Sequence, residues 1–513
     1  MATDDIKDTV EYSEDVKVDE KQNISQHEGI PRPEDLKQDM ALQTGEADHE
    51  LRERERKLLW KIDLRLLPTL SVMYLLASLD RGNIGNARLG GLEADLHLEG
   101  NDFYNALSIF YAGYVLCQIP SNLMVKTMRP SRWIGITMTL WGVCSTCMAA
   151  TKNASGLFAA RFFLGCFETG IGPSAPLILS FWYRREEMSS RLAVFLGSST
   201  VAGAFGGALA YAVLGHLQGA QGLSAWRWLF IIEGLPTICL GLLAFVILPD
   251  YPASAGKRWL SPEEKELAIQ RGASAFNTDT SNFDLRQVKA ALLDYKNWLT
   301  ALVYTGLNAP LASFTSFLPT IVKTLGFTNL QAQLLTIPPY IAACFYLGIM
   351  CYLSDKLKQR ALFIIIVSMT GTLGYMFLLI GNNVALQYLG ACFAAMGLYP
   401  LIPLTLSWIS NNQLGHSKRA VALAMANTMS QTLSVLGTQI YKTQDAPAYR
   451  PGHAICLAFT CLTWGTALVL RYFLKKENAS KDKQYGVPGE IDEKHFVGAE
   501  DMYDKHPGFR YIL

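Results

Sequence analysis

The chain has 513 residues, of which 50% are hydrophobic and 17% are charged, and its formal net charge is +1. Such a balance lacks the concentrated basic excess that binding to nucleic acid requires, so nucleic acid is excluded as a partner. The ten cysteines lie mostly inside apolar stretches, which is typical of small hydrophobic residues in helices rather than of disulfides or a metal site.

Residues 1–50 are polar and rich in Asp, Glu and Lys. Because such a segment has too little apolar surface to fold alone, we predict a disordered cytoplasmic tail, and we find in it no apolar core of a signal peptide. The next stretch, LRERERKLLWKIDLRLLP over residues 51–68, combines basic and apolar residues. It is predicted to form an amphipathic helix along the inner membrane surface that leads into the first membrane-spanning helix.

Twelve apolar stretches follow, each about long enough for a helix to cross a bilayer, which takes roughly 20 apolar residues. We number them spans 1–12. They are predicted near residues 64–88, 103–124, 133–151, 155–182, 192–215, 227–248, 297–321, 331–353, 361–381, 386–409, 420–441 and 453–474. The charged segment 249–296 divides them six and six. The predicted fold class is therefore an all-α polytopic membrane protein with twelve transmembrane helices in two six-helix halves.

The two halves are predicted at residues 51–248 and 297–474, with a cytoplasmic tail over residues 475–513. In the linker 249–296, Ser261, Pro262 and Glu264 have the spacing of a capped helix start. If the N-terminus is cytoplasmic, the short inner loops hold eleven Lys and Arg residues and the outer loops hold six. Since cytoplasmic loops carry an excess of these residues, both termini and the linker are predicted to be cytoplasmic.

Four ionisable residues inside spans 1 and 4 are the main candidates: Asp80 and Arg81 in span 1, and Arg161 and Glu168 in span 4. An ionised residue at membrane depth costs about 2.5–3.5 kcal/mol, so it persists where it faces the bundle interior and finds partners. Arg161 and Glu168 are two helical turns apart, about 10 Å along one helix face. We predict that all four side chains meet in one cavity. The alternatives are a structural pair of Asp80 with Arg81, and an Arg161 that extends to the membrane interface.

These residue types suit the coupling of an anion to a proton. A guanidinium group holds a carboxylate through two parallel hydrogen bonds. A carboxyl group in a cavity of low dielectric takes up a proton closer to neutral pH than it does in water. A proton on Glu168 is therefore expected to free the nearby arginine for an anionic substrate, and loss of the proton is expected to reclaim the arginine.

Other polar residues inside the spans are weaker candidates. Asn308 lies next to a proline-containing segment of span 7, and Asn427 and Gln431 are four residues apart on span 11. They are predicted either to contact the substrate or to form hydrogen bonds between helices. Arg227 and Glu233 are predicted to stabilise the start of span 6, with substrate contact as the alternative.

Five sequence fragments occur in the order and at the spans known from one family. They are SLDRGNIGNA in span 1, IPSNLMVK after span 2, ARFFLGCFETGIGPS in span 4, WRWLFIIEG at the start of span 6 and NNQLGHSKRA after span 10. On these fragments the chain resembles the major facilitator superfamily and, more narrowly, the fungal allantoate-permease-like branch of the anion:cation symporter family.

This resemblance implies a plasma-membrane transporter that imports a small organic anion with protons by alternating access between its two halves. The expected substrates are carboxylates such as a vitamin, a ureide or a sugar acid. The expected coupling ion is the proton, with no cofactor or metal, and the expected state is a monomer in the lipid bilayer. The resemblance also implies substrate binding by Arg81 and Arg161, and proton coupling by Glu168 and Asp80.

The sequence departs from the family pattern in one loop. The loop between spans 2 and 3 usually has a glycine followed four positions later by an acidic residue, but here these places hold Asn122 and Lys126. The equivalent loop between spans 8 and 9 keeps the acid as Asp355, followed by Lys356 and Arg360. A cytoplasmic latch is therefore predicted in this second loop.

Two other functions stay open at this point: a nutrient sensor of the same fold that binds an anion without transporting it, and an exporter of a secondary metabolite. A sensor usually lacks a coupling residue or has enlarged cytoplasmic extensions, and neither applies here. An enzyme is not expected, because the sequence has no nucleotide-binding glycine loop, no metal-ligand cluster and no set of nucleophile and base.

Overall fold

The computed structural model describes residues 33–172, 174–256, 259–275, 285–413, 416–486, 506 and 509–513, and this part of the chain contains helices and no strand. Leu58–Leu513 form one compact unit, and Met1–Lys57 form a separate one. Of the tail predicted over residues 1–50, residues 1–32 lie outside the described part. The backbone is helical from Pro33 onward.

Each of the twelve predicted spans coincides with helix in the structure. Nine spans are single helices: span 1 is Pro33–Leu89, span 2 Asp102–Thr127, span 3 Pro130–Met148, span 5 Arg185–His216, span 6 Ala225–Ile247, span 7 Tyr295–Thr324, span 9 Arg360–Ile380, span 11 His416–Gly437 and span 12 Arg450–Tyr485. Three spans are interrupted: span 4 is Ala154–Glu168 and Ala175–Trp182, span 8 is Asn329–Leu335 and Ile337–Leu357, and span 10 is Val384–Leu398 and Leu401–Asn411. Span 12 continues eleven residues beyond the predicted end of the C-terminal half at residue 474.

Within the described residues, seven of the spans are long and apolar enough to cross a membrane by length and composition: spans 1, 5, 6, 8, 9, 10 and 12. The other five have a physical reason to fall short. Span 4 is divided into segments of 15 and 8 residues. Spans 2, 3, 7 and 11 contain polar residues that lower their mean hydropathy, and many of these residues are buried against other helices. Polar residues are tolerated in such spans because neighbouring helices satisfy them.

Helix packing repeats between the two halves. Span 3 packs on span 6, and span 9 packs on span 12; spans 2 and 4 are neighbours, as are spans 8 and 10. Across the halves, span 5 packs against span 8, and span 2 packs against span 11. The pairs within the second half repeat those of the first half, six spans further along the chain. The contact of span 5 with span 8 is likewise equivalent to the contact of span 11 with span 2. The structure is thus built from two equivalent six-helix halves.

We call the end of the bundle that holds residues 128–129, 183–184, 357–359 and 486 the termini face. The end with loops 90–101, 217–224 and 438–449 is the opposite face. The linker lies at the termini face in two helices. Pro262–Ala275 follows the N-terminal half, where Glu264 pairs with Lys61 and the Arg271 guanidinium donates to Glu187 at 2.6 Å.

The second linker helix, Leu285–Leu293, belongs with the C-terminal half. The backbone carbonyls of Ala291 and Leu292 accept hydrogen bonds from the side chains of Asn297 and Trp298 in span 7, both at 2.8 Å. Gln287 accepts from the backbone of Lys418 in span 11. Each half therefore carries its own part of the linker.

The two halves are joined at the opposite face. Among the described residues, six hydrogen bonds cross between them there: Arg88 to Thr443 (3.2 Å), Tyr104 with Thr443 (2.8 Å), Ser108 with Thr438 (2.7 Å), Gln439 to Ser108 (2.7 Å), Asn329 to the Leu89 carbonyl (2.9 Å) and Gln333 to the Asn86 carbonyl (3.2 Å). Gly85 of span 1 lies directly on the backbone of Ser316 in span 7, where an added Cβ would be 2.3 Å from the Ser316 carbonyl oxygen. The opposite face is therefore closed by direct contact of the halves.

Candidate functional site

A cavity lies between the two halves at the middle of the spans. Its walls come from spans 1, 2 and 5 of the N-terminal half and from spans 7, 8, 10 and 11 of the C-terminal half, and its empty volume, counting its open mouth, is about 810 Å³. Among the described residues that line it, Arg81 is the one with a full charge. A cavity of mixed polar and apolar lining at the junction of two repeats is the usual place for a transporter's binding site.

Arg81 forms an ion pair with Glu168. Its Nη2 donates a hydrogen bond to Oε1 of Glu168, while the rings of Phe110 and Tyr114 lie 5.5 and 5.6 Å from the guanidinium carbon. The Glu168 side chain is 1% exposed, whereas the Arg81 side chain is 25% exposed. The guanidinium group therefore touches the carboxylate on its buried side and the cavity on the other. Oε2 of Glu168 has no hydrogen-bond partner among the described residues.

Glu168 is positioned by the interruption of span 4. The helix ends at this residue, and the next helix starts at Ala175. The intervening TGIGPS contains two glycines and a proline, which disfavour a continuous helix. Span 10, the equivalent span of the second half, is interrupted at Tyr399 and Pro400, and Tyr399 lines the cavity. Interrupted helices at matching positions of two halves are a known mark of substrate and ion sites in transporters.

Arg161 lies in the interior of the N-terminal half rather than at the cavity wall. It is fully buried, and its Nε and Nη2 have no hydrogen-bond partner among the described residues. Its position two turns before Glu168 on the same helix matches the predicted spacing. The alternative that Arg161 extends to the membrane interface does not fit its burial.

Asp80 differs most from the expectation. Its carboxylate does not line the cavity but accepts hydrogen bonds from Trp141 Nε1 at 3.0 Å and from Ser145 Oγ at 2.6 Å, both in span 3. The prediction that all four ionisable side chains meet in one cavity is therefore corrected: Arg81 lines the cavity, Glu168 touches Arg81, and Asp80 and Arg161 lie behind them inside the N-terminal half. The contacts of Asp80 join span 1 to span 3.

The polar candidates of the second half divide as follows. Asn308 and Gln431 line the cavity, and Asn308 donates to the Tyr304 carbonyl at 3.1 Å. Asn427 does not line it, although it is on the same span as Gln431. In the loop between spans 8 and 9, outside the cavity, Arg360 pairs with Asp355 and donates to Ser354 Oγ at 3.1 Å; Lys356 is exposed.

Two residues at span 6 have separate environments. Arg227 donates through Nη1 to the carbonyls of Ala149 and Thr151, the latter at 2.9 Å, and so fixes the start of span 6 to the end of span 3. Glu233 is buried, with no hydrogen-bond partner for either carboxylate oxygen among the described residues. Neither residue lines the cavity.

Sequence reasoning missed the aromatic part of the site. Four tyrosines line the cavity: Tyr74, Tyr111, Tyr340 and Tyr399. Their hydroxyl groups add polar contacts to rings that otherwise pack as apolar surface. A tyrosine in an apolar span gives no signal of the face on which it lies, because the lipid-facing and core-facing sides of these helices are both apolar.

The architecture defines a class first: a multi-pass membrane transporter with two equivalent halves around a central cavity. Comparison with known proteins then identifies the family, because the model of the Major Facilitator Superfamily matches residues 70–438. The chain belongs to this superfamily. It is a transporter rather than an enzyme, and the prediction of twelve transmembrane helices in the major facilitator fold is confirmed.

Named relatives agree with this assignment. The MFS transporter prlL of Fungal sp. (strain NRRL 50135) is 38% identical over 412 residues, covering 78% of this chain and 83% of that protein. The high-affinity nicotinic acid transporter of Saccharomyces cerevisiae is 31% identical over 466 residues, covering 89% of this chain and 85% of that protein. Among solved structures, an inward-facing, unoccupied bacterial homologue of the human lysosomal transporter Spinster has a TM-score of 0.60 at 15% identity, covering 80% of this chain and 97% of that one. That last likeness concerns the fold alone.

Proposed function

We propose that the protein is a proton-coupled symporter that imports a small organic anion, with the anion bound by Arg81 and the proton carried by Glu168. The observation that carries the proposal is the position of Arg81, which lines the cavity and is paired with a buried carboxylate. One guanidinium group thus has two competing anionic partners: the protein's own Glu168, and a carboxylate that enters the cavity.

Competition for Arg81 couples the two solutes. When Glu168 is ionised, it occupies the inner edge of the guanidinium group; when Glu168 takes up a proton, that interaction weakens and both edges are open to a bidentate carboxylate. Loss of the proton restores the ion pair and displaces the substrate. Since a proton and a monoanion together carry no net charge, the loaded cavity can be occluded in the low-dielectric interior at a smaller cost than either alone.

The cavity walls favour a small carboxylate with a flat body. Tyr74, Tyr111, Tyr340 and Tyr399 offer ring faces and hydroxyl groups. A vitamin, a ureide or a sugar acid fits this description, and the nicotinic acid transporter among the relatives supports the first of these. We propose that the chain belongs to the allantoate-permease-like branch of the anion:cation symporters.

The other candidate residues take supporting roles in this proposal. Asn308, Asn427 and Gln431 complete the substrate site or its helix contacts, and Arg161 offers Glu168 a second cationic neighbour. Asp80 keeps span 1 in place through span 3 rather than exchanging the coupled proton. The loop pair of Asp355 with Arg360, together with Lys356, serves as the cytoplasmic latch.

We further propose that the termini face is cytoplasmic and that the protein works as a monomer in the plasma membrane. The excess of Lys and Arg in the loops of the termini face supports this orientation. On that assignment, the closed opposite face is the outer one, and the structure represents the inward-facing side of the transport cycle.

The test is uptake of a panel of labelled carboxylates, nicotinate included, by cells that express the chain, measured from pH 4.5 to 7.5. Wild type is expected to take up its substrate faster at acidic outside pH. Glu168→Gln is expected to abolish this pH dependence, and Arg81→Lys to lower uptake at least tenfold because the bidentate contact is lost. Glu99→Gln, an exposed carboxyl on the opposite face, is the matched control and is expected to behave as wild type.

Four outcomes contradict the proposal in different ways. Uptake that ignores pH removes proton coupling, and pH-dependent uptake that persists in Glu168→Gln removes this residue from the coupling. If a cation or a neutral solute moves while every carboxylate is ignored, the anion assignment is wrong. Saturable binding of a carboxylate without uptake identifies a sensor instead of a transporter.

A further inference from the structure

The last five residues of the chain, FRYIL over residues 509–513, fold back onto the C-terminal half at the termini face. They lie among the start of span 7, the end of span 10 and the extension of span 12. Tyr511 is 4% exposed, and Phe509 and Leu513 pack against the hydrophobic core. This segment has no helix of its own, so its burial depends on the contacts it makes with the spans.

Two asparagines hold the backbone of this segment. The amide of Asn478 accepts from the Tyr511 backbone N–H and donates to its carbonyl, both at 2.9 Å. The amide of Asn412 does the same for Ile512, at 2.8 and 3.0 Å. Trp408 Nε1 adds a third hydrogen bond to the Ile512 carbonyl at 2.9 Å.

Each asparagine amide thus replaces the backbone of a neighbouring strand. Consecutive residues of an extended chain offer their N–H and C=O groups to opposite sides. Asn478 in span 12 and Asn412 at the end of span 10 take one residue each, from different helices. Recognition of this kind requires an extended peptide but does not depend on its side chains.

One side chain adds selectivity. The Tyr511 side chain is buried and lines a small cavity together with Thr300, Leu470 and Leu474, and its hydroxyl accepts a hydrogen bond from Lys296 Nζ at 2.9 Å. The same Nζ lies 3.0 Å from Glu477 and 4.7 Å from the centre of the Tyr511 ring. The lysine charge is therefore balanced in place, and the pocket is selective for a hydroxyl-bearing aromatic residue.

Charged contacts fix the direction of the segment. Arg510 pairs with Asp482 at 2.7 Å and donates to the Gly486 carbonyl at 2.8 Å, while Lys481 donates to the Phe509 carbonyl at 3.1 Å. All of these partners belong to the extension of span 12. Each contact of residues 509–513 named here is made to the C-terminal half.

We propose that the ends of spans 7, 10 and 12 at the termini face form a binding site for an extended peptide segment, and that residues 509–513 are its resident ligand. The backbone is held by Asn412 and Asn478, and the aromatic side chain by the pocket around Lys296. This site is separate from the central cavity and does not depend on the proposed transport of an anion. When the segment is removed, the empty site is expected to accept the same peptide in trans.

The experiment uses a chain that ends at Gly508, purified in detergent, and an N-terminally fluorescent peptide of sequence GFRYIL. Fluorescence anisotropy is expected to show saturable binding to the shortened chain and at least tenfold weaker binding to the full chain, whose site is occupied. In the shortened chain, Asn412→Ala or Asn478→Ala is expected to weaken peptide binding about tenfold, since each removes two hydrogen bonds. Asn382→Ala, at an exposed residue of the opposite face, is the matched control.

Equal binding of the peptide to both chains, or its failure to bind the folded shortened chain, overturns the proposal. A second measurement tests the proposal on the full-length protein, in case the shortened chain does not fold. Carboxypeptidase is applied to the full-length protein, and release of the last residues is expected to be about tenfold faster from the Asn412→Ala/Asn478→Ala double variant than from wild type or Asn382→Ala. Equal rates of release also overturn it.

Discussion

The contact of Gly85 with Ser316 gives the sharpest test of how the halves close. In Gly85→Ala, the new Cβ would lie 2.3 Å from the Ser316 carbonyl oxygen and 3.1 Å from its carbon. Because the obstacle is backbone, no side chain can move aside, and spans 1 and 7 must separate by about 1 Å to reach ordinary van der Waals distance. Gly82→Ala is the matched control, since no atom lies within 4 Å of a Cβ at that position on the same helix.

The size of the effect follows from the hydrogen bonds nearby. A separation of about 1 Å breaks the bonds from Gln333 to the Asn86 carbonyl and from Asn329 to the Leu89 carbonyl, which are 3.2 and 2.9 Å long. At about 0.5–1.5 kcal/mol each, their loss destabilises the closed opposite face by about 1–3 kcal/mol. The ratio of closed to open molecules at this face is then expected to fall by a factor of about 5 to 150.

The assay is disulfide formation between Ser108→Cys and Thr438→Cys in a background without the ten native cysteines, because these two side-chain oxygens are 2.7 Å apart when the face is closed. After mild oxidation, the cross-linked fraction is expected to be high in the parent and in Gly82→Ala, and low in Gly85→Ala. Equal cross-linking in all three proteins would show that the close approach of spans 1 and 7 does not control closure.

Three further predictions concern stability. Asp80→Asn is expected to lower the midpoint of thermal unfolding, at a cost of about 1–3 kcal/mol, because each carboxylate oxygen accepts one of the two hydrogen bonds and the amide nitrogen that replaces one oxygen cannot accept. Gly397→Ala, whose Cβ would lie 2.1 Å from the backbone of span 9, is expected to cost about 1–3 kcal/mol, whereas Gly348→Ala, in open space, is expected to change the midpoint little. At Glu264, partial burial raises the pKa, but the hydrogen bond and charge of Lys61 and the hydrogen bonds from Ser261 together outweigh it, so the net pKa lies below the usual value of 4.5. The contribution of Glu264 to the docking of the first linker helix is therefore fully present above pH 4.5 and lost as the pH falls through the lower folded value. After division by the intrinsic exchange rate at each pH, hydrogen exchange of that helix is expected to rise on acidification in wild type, and at neutral pH to be faster in Lys61→Ala than in wild type.

The arrangement of the spans was predictable because it depends on length and apolar composition. A bilayer sets a minimum length for each apolar stretch, and all twelve predicted stretches coincide with helix. The break in span 4 was not predicted, although its GIGP sequence carries the signal. Glycine and proline are common in membrane helices, so their presence alone does not distinguish an interrupted helix from a continuous one.

The site was predictable in part. An ionisable residue inside a span must find a partner, and on that basis Arg81 and Glu168 are brought together. The error about Asp80 has a geometric cause: neighbouring residues on a helix point about 100° apart, and this rotation turns Asp80 toward span 3 while Arg81 lines the cavity. Its actual partners, Trp141 and Ser145, are one turn apart on another helix, and which helices become neighbours is decided by packing that a single sequence does not reveal.

The divided linker has a practical consequence. Because one linker helix is attached to the first six spans and the other to the last six, the peptide connection across residues 276–284 is not what holds either set of spans together. A gene cut at that point is expected to yield two polypeptides that insert separately and assemble in the membrane through the surfaces they already share. Such a divided protein allows isotopes or probes to be placed in one half while the other stays unlabelled.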